Sequence, residues 1–255
     1  MTAETHLFHC LQDNYGVLLH DKASGATAAI DAPEAATVDT ALSQKGWKLT
    51  DIFVTHHHAD HTGGIAELKK RHGCRVTAPR AEAQRIPLVD ETVAEGDIVR
   101  LGELTGRVLE TPGHTAGHIA YWFAADCLAF VGDTLFSIGC GRVIEGTPEM
   151  MWESLLKLRN LPGETRIYCG HEYTLANIRF AQTIESDNLA LIARAAEAAE
   201  QVAQHKPTIP TTLDSEKAAN PFLRADLSEV AAAVGLPGKP PAQVFAEVRA
   251  RKNKF

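Results

Sequence analysis

An apolar run that empties into a knot of histidines and an aspartate, and then into two glycines, constrains this chain most. The segment reads Ile52-Phe53-Val54-Thr55-His56-His57-His58-Ala59-Asp60-His61-Thr62-Gly63-Gly64. The β-branched and aromatic start predicts a strand, and the glycines followed by an apolar helical pattern predict a turn into a helix. His56, His58, Asp60 and His61 therefore fall within six residues at a strand end, where a loop can fold them around a common point. They do not all fit one ion. A pair of neighbouring metal ions is the natural solution, His56 and His58 serving one and Asp60 and His61 the other. His57, on the opposite side of the extended turn, is expected to orient the loop through hydrogen bonds.

Further strand ends carry the same residue types. Thr111-Pro112-Gly113-His114-Thr115-Ala116-Gly117-His118 is a strand-to-turn junction, Phe130-Val131-Gly132-Asp133 ends a strand in a carboxylate, and Ile167-Tyr168-Cys169-Gly170-His171-Glu172 places another imidazole. Each is weak alone, since a solitary His or Asp at a strand end is usually a turn residue. Together they predict convergence on one edge of a layered structure, with Asp133 able to bridge two cations and His118 packing or orienting a ligand.

Strands are predicted over 16–20, 27–30, 51–55, 75–78, 97–101, 107–110, 118–123, 128–131 and 166–169, enough for two sheets. Helical patterns fall at 33–45, 64–71 and 148–159, the last with Thr147 as N-cap and Pro148 in the first turn. This mixture reads as a layered α/β sandwich. After Tyr173 the character changes to Ala-, Glu- and Gln-rich helix over 189–204, then helical patterns at 227–234 and 241–249. The expected division is 1–172 for the sandwich and 173–255 for a helical domain.

Composition excludes several classes. Lys plus Arg is 25 against 32 Asp plus Glu, a net charge of −7, which disfavours nucleic acid as a partner. The five cysteines are scattered without a C-x-x-C pair, so a disulfide framework or thiolate zinc knuckle is not expected, and a reducing compartment, the cytoplasm, suits them. No signal peptide or membrane span is read. Nothing pairs Cys140 or Cys169 with a base, which argues against a covalent thiol mechanism.

T-H-x-H-x-D-H, a later isolated His, a G-D-T Asp and a G-H-E His resemble the metallo-β-lactamase superfamily. Within it GHTAGHIAY, GDTLFSIGCGRVIEGT, YCGHEYT, NPFLR and RARKNKF are similar to segments of the glyoxalase II (hydroxyacylglutathione hydrolase) family, over Asn14 to Phe255. The resemblance implies a four-layer αβ/βα sandwich with a C-terminal α-helical domain. It places His56, His58 and His114 on one metal and Asp60, His61 and His171 on the second, with Asp133 bridging. It also implies glutathione binding by Arg142, Tyr173, Arg249 and Lys252. Two positions after Arg142, where the family usually has an aromatic residue, this chain has Ile144; Asn253 stands in place of the usual Asp. The basic tail fits independently, because 239–255 holds five basic residues and one acid, suited to a substrate bearing carboxylates. Arg251 and Lys254 read as ordinary cations at a helix C-terminus.

The expected function is hydrolysis of S-D-lactoylglutathione to D-lactate and glutathione, the second step of methylglyoxal detoxification. Asp60 and Asp133 are the catalytic carboxylates of two divalent metals that share a hydroxide available at neutral pH. The departing thiol has a pKa near roughly 8.5, so no dedicated general acid is demanded. The all nitrogen and oxygen ligand set suits zinc, with iron or manganese as alternatives. Rival readings on the same fold are a persulfide dioxygenase, a lactonase or a β-lactamase. A nucleic-acid-binding or scaffold protein is disfavoured by charge. The chain is expected to act as a monomer on a small-molecule substrate, with no membrane partner.

Overall fold

The computed structural model describes residues 3–255, so the first two residues of the expected N-terminal domain lie outside the described residues. The chain folds into two compact units. One comprises the residues up to Glu110 together with Gly117–Gly132, the other Thr111–Ala116 together with Asp133–Phe255.

The first unit contains β1 (Ala3–Cys10), β2 (Asn14–Asp21), β3 (Thr27–Ile30), α1 (Ala35–Lys45), β4 (Asp51–Phe53), the single turn α2 (Ala59–Thr62) and α3 (Ile65–His72). β5 (Arg75–Pro79), β6 (Glu91–Val93), β7 (Ile98–Leu101), β8 (Leu104–Glu110), β9 (Ile119–Phe123) and β10 (Leu128–Gly132) complete it. β1 to β6 form one sheet in chain order, antiparallel as far as β3 and parallel from β3 to β6. β7 to β10 run antiparallel in a second sheet.

Strand alternation decides what faces what. Ile52 is paired with Ala29 and Val76, and these three, with Val54, pack against Val38 and Leu42 of α1 and Ile65 and Leu68 of α3. Phe53 points the other way and stacks on Tyr121 of β9 with ring centroids 5.4 Å apart, while the Tyr121 hydroxyl donates to the Val54 carbonyl at 2.7 Å. Burying two such aromatic side chains contributes on the order of 1.5–3 kcal/mol each. Helices, first sheet and second sheet are therefore successive layers of this unit. The histidine-rich segment leaves β4 at its carboxyl end beside the end of β3, the usual address for ligand sites in parallel sheets.

The second unit carries a short hairpin of β11 (Leu135–Phe136) and β12 (Gly139–Cys140), then α4 (Pro148–Arg159), β13 (Arg166–Cys169), α5 (Thr174–Ala181) and α6 (Leu189–Ala203). It ends with β14 (Thr211–Thr212), which pairs with β13, then α7 (Leu213–Ala219), α8 (Ser228–Ala233) and α9 (Pro241–Lys254). The Thr147 hydroxyl accepts from the Met150 N–H at 3.3 Å with Pro148 in the first turn, the cap read from the sequence. α4 buries Met151, Trp152, Leu155 and Leu158, and Trp152 meets Phe245 of α9 at a centroid distance of 6.0 Å. Asn188 caps α6 by accepting from the Ala190 and Leu191 N–H groups. Among the described residues no helix is long and apolar enough to cross a membrane, and all five cysteines are free.

Candidate active site

In the first unit the segment after β4 is pinned by a carboxylate that no local motif in the sequence marks. Asp31 follows β3 with φ 56°, a left-handed conformation that aspartate tolerates better than most residues. Its Oδ1 accepts from the Thr55 N–H at 2.7 Å, and its Oδ2 accepts from the Thr55 hydroxyl and from His61 Nδ1, both at 2.8 Å. Because the Thr55 hydrogen is spent on Asp31, its oxygen accepts from His56 Nδ1 at 3.0 Å. Both rings then present the Nε2 lone pair.

His56 Nε2 lies 3.1 Å from His58 Nδ1, and His61 Nε2 lies 3.7 Å from Asp60 Oδ2. A tetrahedral ion bound at about 2.0–2.1 Å sets its ligand atoms about 3.3 Å apart; the first pair lies close to that spacing and the second is somewhat wider. Asp60 is fixed by Asn14, whose amide donates to its Oδ2 at 3.1 Å and to its carbonyl at 3.2 Å. Asp31 also lies with His56 and His61 in a cluster of ligand-type atoms, all within 4.8 Å of one another. Its oxygens are occupied by Thr55 and His61, which makes it a support for the ligands.

His57 faces away from this cluster. Its Nδ1 is 2.7 Å from Glu82 Oε2, which also accepts the His57 N–H at 2.8 Å, while Glu82 Oε1 takes the Gly117 N–H at 2.8 Å. His118 is fully buried and stacks on His56 with centroids 4.8 Å apart. Gly132, at φ +47°, lies so close to His118 and Thr55 that a Cβ there would stand 2.6 Å from His118 Nε2 and from Thr55 Oγ1. Only glycine fits there.

The second unit carries the other donors. Asp133 Oδ2 stands between two imidazoles, 3.4 Å from His114 Nε2 and 3.3 Å from His171 Nε2. One oxygen at that separation from each of two nitrogens is the arrangement a bridging carboxylate requires. His114 Nδ1 donates to the Arg142 carbonyl at 2.9 Å, which directs Nε2 toward Asp133. Gly141 makes this approach possible, since a Cβ there would lie 1.9 Å from the Asp133 carbonyl oxygen. The His171 ring stacks on Tyr173, 4.8 Å apart and 4° from parallel.

A cavity of about 380 Å³ opens beside these residues, and Arg142, Tyr173, Arg249 and Lys252 all line it together with His114 and Asp133. Arg249 is nearly buried, its Nη1 donating to the Cys140 carbonyl at 2.8 Å and its Nε to Asn253 Oδ1 at 3.0 Å. The neutral Asn253 steadies the guanidinium and leaves its charge intact. Lys252 Nζ donates to the Ala176 carbonyl at 3.0 Å. Its pKa is lowered from the ordinary lysine value, chiefly by partial burial and further by the charges of Arg249 and Arg179. Phe136, Asn177 and Ala176 also line the cavity and were not singled out by sequence. Arg251 serves elsewhere, donating to the Val234 carbonyl at 2.7 Å at the end of α8 and to Glu247 at 2.9 Å. Ile144 is exposed and does not line the cavity. Burial pushes the Cys140 thiol up to about 11 and that of Cys169 to about 12, so neither is a ready nucleophile.

Family models match nearly the whole chain, in two consecutive segments that divide near residue 171 and so cut across the second unit. Residues 23–171 match the metallo-beta-lactamase superfamily model, the class to which the layered sheets and the His-x-His-x-Asp-His segment point. Among solved structures, ETHE1 from Myxococcus xanthus superposes with a TM-score of 0.66 at 27% identity, over 99% of this chain and 98% of that one. The protein TTHA1623 in a di-iron-bound form superposes with a TM-score of 0.57 at 26% identity, over 66% of this chain and 91% of that one. Residues 172–255 match the hydroxyacylglutathione hydrolase C-terminus. A hydroxyacylglutathione hydrolase of Rhodopseudomonas palustris (strain BisB5) is 61% identical over 253 residues, 99% of both chains. The chain belongs to the hydroxyacylglutathione hydrolase family.

Proposed function

We propose that this chain hydrolyses glutathione thioesters, converting S-D-lactoylglutathione to D-lactate and glutathione, as a cytoplasmic monomer. The supporting observation is the composition of the cavity in the second unit, where three cations and a tyrosine share one wall system with His114 and Asp133. A substrate with carboxylates at its ends and a reactive acyl group suits such a cavity.

In this reading His56, His58 and His114 hold one divalent ion, Asp60, His61 and His171 hold a second, and Asp133 serves both. The donors are imidazole and carboxylate throughout, which suits zinc best and accommodates iron or manganese. When bound, such a metal pair supplies Lewis acidity and lowers the pKa of water toward neutrality. The chain's own residues do the rest. Asp31 and Thr55 keep His61 and His56 in the tautomer that offers Nε2. Arg249, Lys252 and Arg142 bind substrate carboxylates, and Tyr173 borders the cavity while buttressing His171. Residues 1–172 contribute the proposed metal ligands, and 173–255 contribute Tyr173, Arg249 and Lys252 for glutathione. The thiolate leaves unaided, since its conjugate acid has a pKa of roughly 8.5.

Loss of thioester absorbance of S-D-lactoylglutathione on adding purified protein, with metal quantified before and after chelation, tests the proposal. The expected result is about two metal equivalents per chain and hydrolysis that chelation abolishes. Two metals without hydrolysis overturn the substrate assignment, and turnover that requires molecular oxygen favours a dioxygenase.

A further inference from the structure

The tip of the β11–β12 hairpin holds an unfavourable backbone, and a set of buried polar side chains from the C-terminal helices holds it there. Ile138, the residue before β12, has φ 55°, a left-handed conformation that is rare for β-branched residues and that persists only where its surroundings enforce it. Its N–H donates to Glu216 Oε2 at 2.8 Å. The same oxygen accepts from Asn220 Nδ2 at 2.9 Å, and Asn220 Nδ2 also reaches the carbonyls of Gly139 at 3.0 Å and Phe136 at 3.3 Å. Asn177 donates to the Ser137 carbonyl at 3.1 Å, and Arg194 donates to the Ser137 hydroxyl at 3.2 Å. Glu216 and Asn220 are completely buried.

A buried carboxylate and amide carry a desolvation cost that a merely space-filling pair of apolar residues avoids. Their placement on successive backbone groups of one turn points to a positional task. The strand that leaves this turn ends at Cys140, whose carbonyl is the acceptor for Arg249 Nη1, and Phe136 and Cys140 both border the cavity.

We propose that Glu216 and Asn220 are positioning residues for substrate binding: they hold the strained turn at Ile138 so that the Cys140 carbonyl fixes the Arg249 guanidinium toward a substrate carboxylate. The proposal rests on the glutathione-thioester reading above. Neither side chain lines the cavity, so their effect passes through the hairpin to Arg249.

The experiment compares Asn220→Ala and Glu216→Met, which keeps the length of the side chain but removes the acceptor for Ile138 and Asn220, in the metal-loaded, full-length protein. Three quantities are measured: kcat and KM for S-D-lactoylglutathione, the same for a lactoyl thioester of N-acetylcysteamine, which bears no carboxylate, and the Kd of glutathione by calorimetry. A misplaced Arg249 is expected to raise KM for the glutathione thioester and Kd for glutathione about ten-fold, the usual consequence of weakening one charge-assisted hydrogen bond. Metal content and the kcat on both thioesters are expected to stay within about two-fold of the parent, against that ten-fold change. Folded variants with unchanged glutathione Kd, or with equal losses on both thioesters, overturn the proposal. If Asn220→Ala does not fold, Glu216→Met decides by the same criteria. A parent protein that binds glutathione but hydrolyses neither thioester overturns the function assigned above and leaves the calorimetric comparison to decide the clamp. A parent that does not bind glutathione overturns the clamp proposal.

Discussion

Asp31 and His61 are joined by a 2.8 Å hydrogen bond from His61 Nδ1 to Asp31 Oδ2, and that contact fixes which nitrogen of His61 is left for a ligand. Asp31→Asn keeps the shape but offers an amide where His61 and Thr55 need an acceptor. Such supporting carboxylates typically change metal affinity by about 10–100-fold. A competition titration with a chromophoric chelator is expected to show a loss in that range, with circular dichroism unchanged.

Asp133 is placed to serve both proposed ions, so its removal is expected to act on metal and activity together. Asp133→Ala should come off a desalting column with less metal than the parent and without measurable thioesterase activity. Full activity in a metal-depleted Asp133→Ala protein would show that the proposed centre is not the catalyst.

Lys252 lines the cavity and in the proposed role would act in its charged form, while burial, with the charges of Arg249 and Arg179, lowers its pKa. As pH rises, Lys252 loses its proton below the ordinary lysine range, so KM for a carboxylate-bearing substrate should climb on the alkaline side. The same depression favours the neutral form in the fold, so Lys252 contributes no stability that alkaline pH would remove. Lys252→Arg, which stays charged, is expected to flatten the alkaline rise in a KM against pH profile.

Asn188 accepts from the N–H groups of Ala190 and Leu191 at the start of α6 and donates to the Ala218 carbonyl at 2.9 Å. Asn188→Ala is expected to cost about 1 kcal/mol, the typical worth of an N-cap. In a chain of this size that corresponds to a melting point lower by roughly 2–4 °C by calorimetry.

The proposed donors are legible in the sequence because each stands at the end of a recognisable strand: His56 after the apolar run of β4, Asp133 after β10, His171 after β13. Their supports are not. Asp31 lies 30 residues before His61, and its role depends on β3 and β4 lying side by side in parallel, which is a tertiary fact. Glu82 and Asn14 escaped for the same reason, since their partners His57 and Asp60 are 25 and 46 residues away. Among the elements, β1 was missed although it pairs with β2 along its length, because its Glu4, Thr5 and His6 lack a clean apolar alternation. α5 and α7 were missed because Thr174–Ala181 and Leu213–Ala219 are only two turns long and carry weak periodicity. α6 was plain, its length and alanine content sufficing.

The hydrogen bond from His114 Nδ1 to the Arg142 carbonyl ties a proposed metal ligand to a residue that lines the cavity. Arg142 faces the cavity with its side chain and orients a proposed metal donor with its backbone. Thermodynamic reciprocity then applies: by whatever factor an occupied cavity tightens the ion on His114, the ion tightens the occupant of the cavity by the same factor. In the proposed assignment, metal retention and substrate capture are then two readings of one coupling constant.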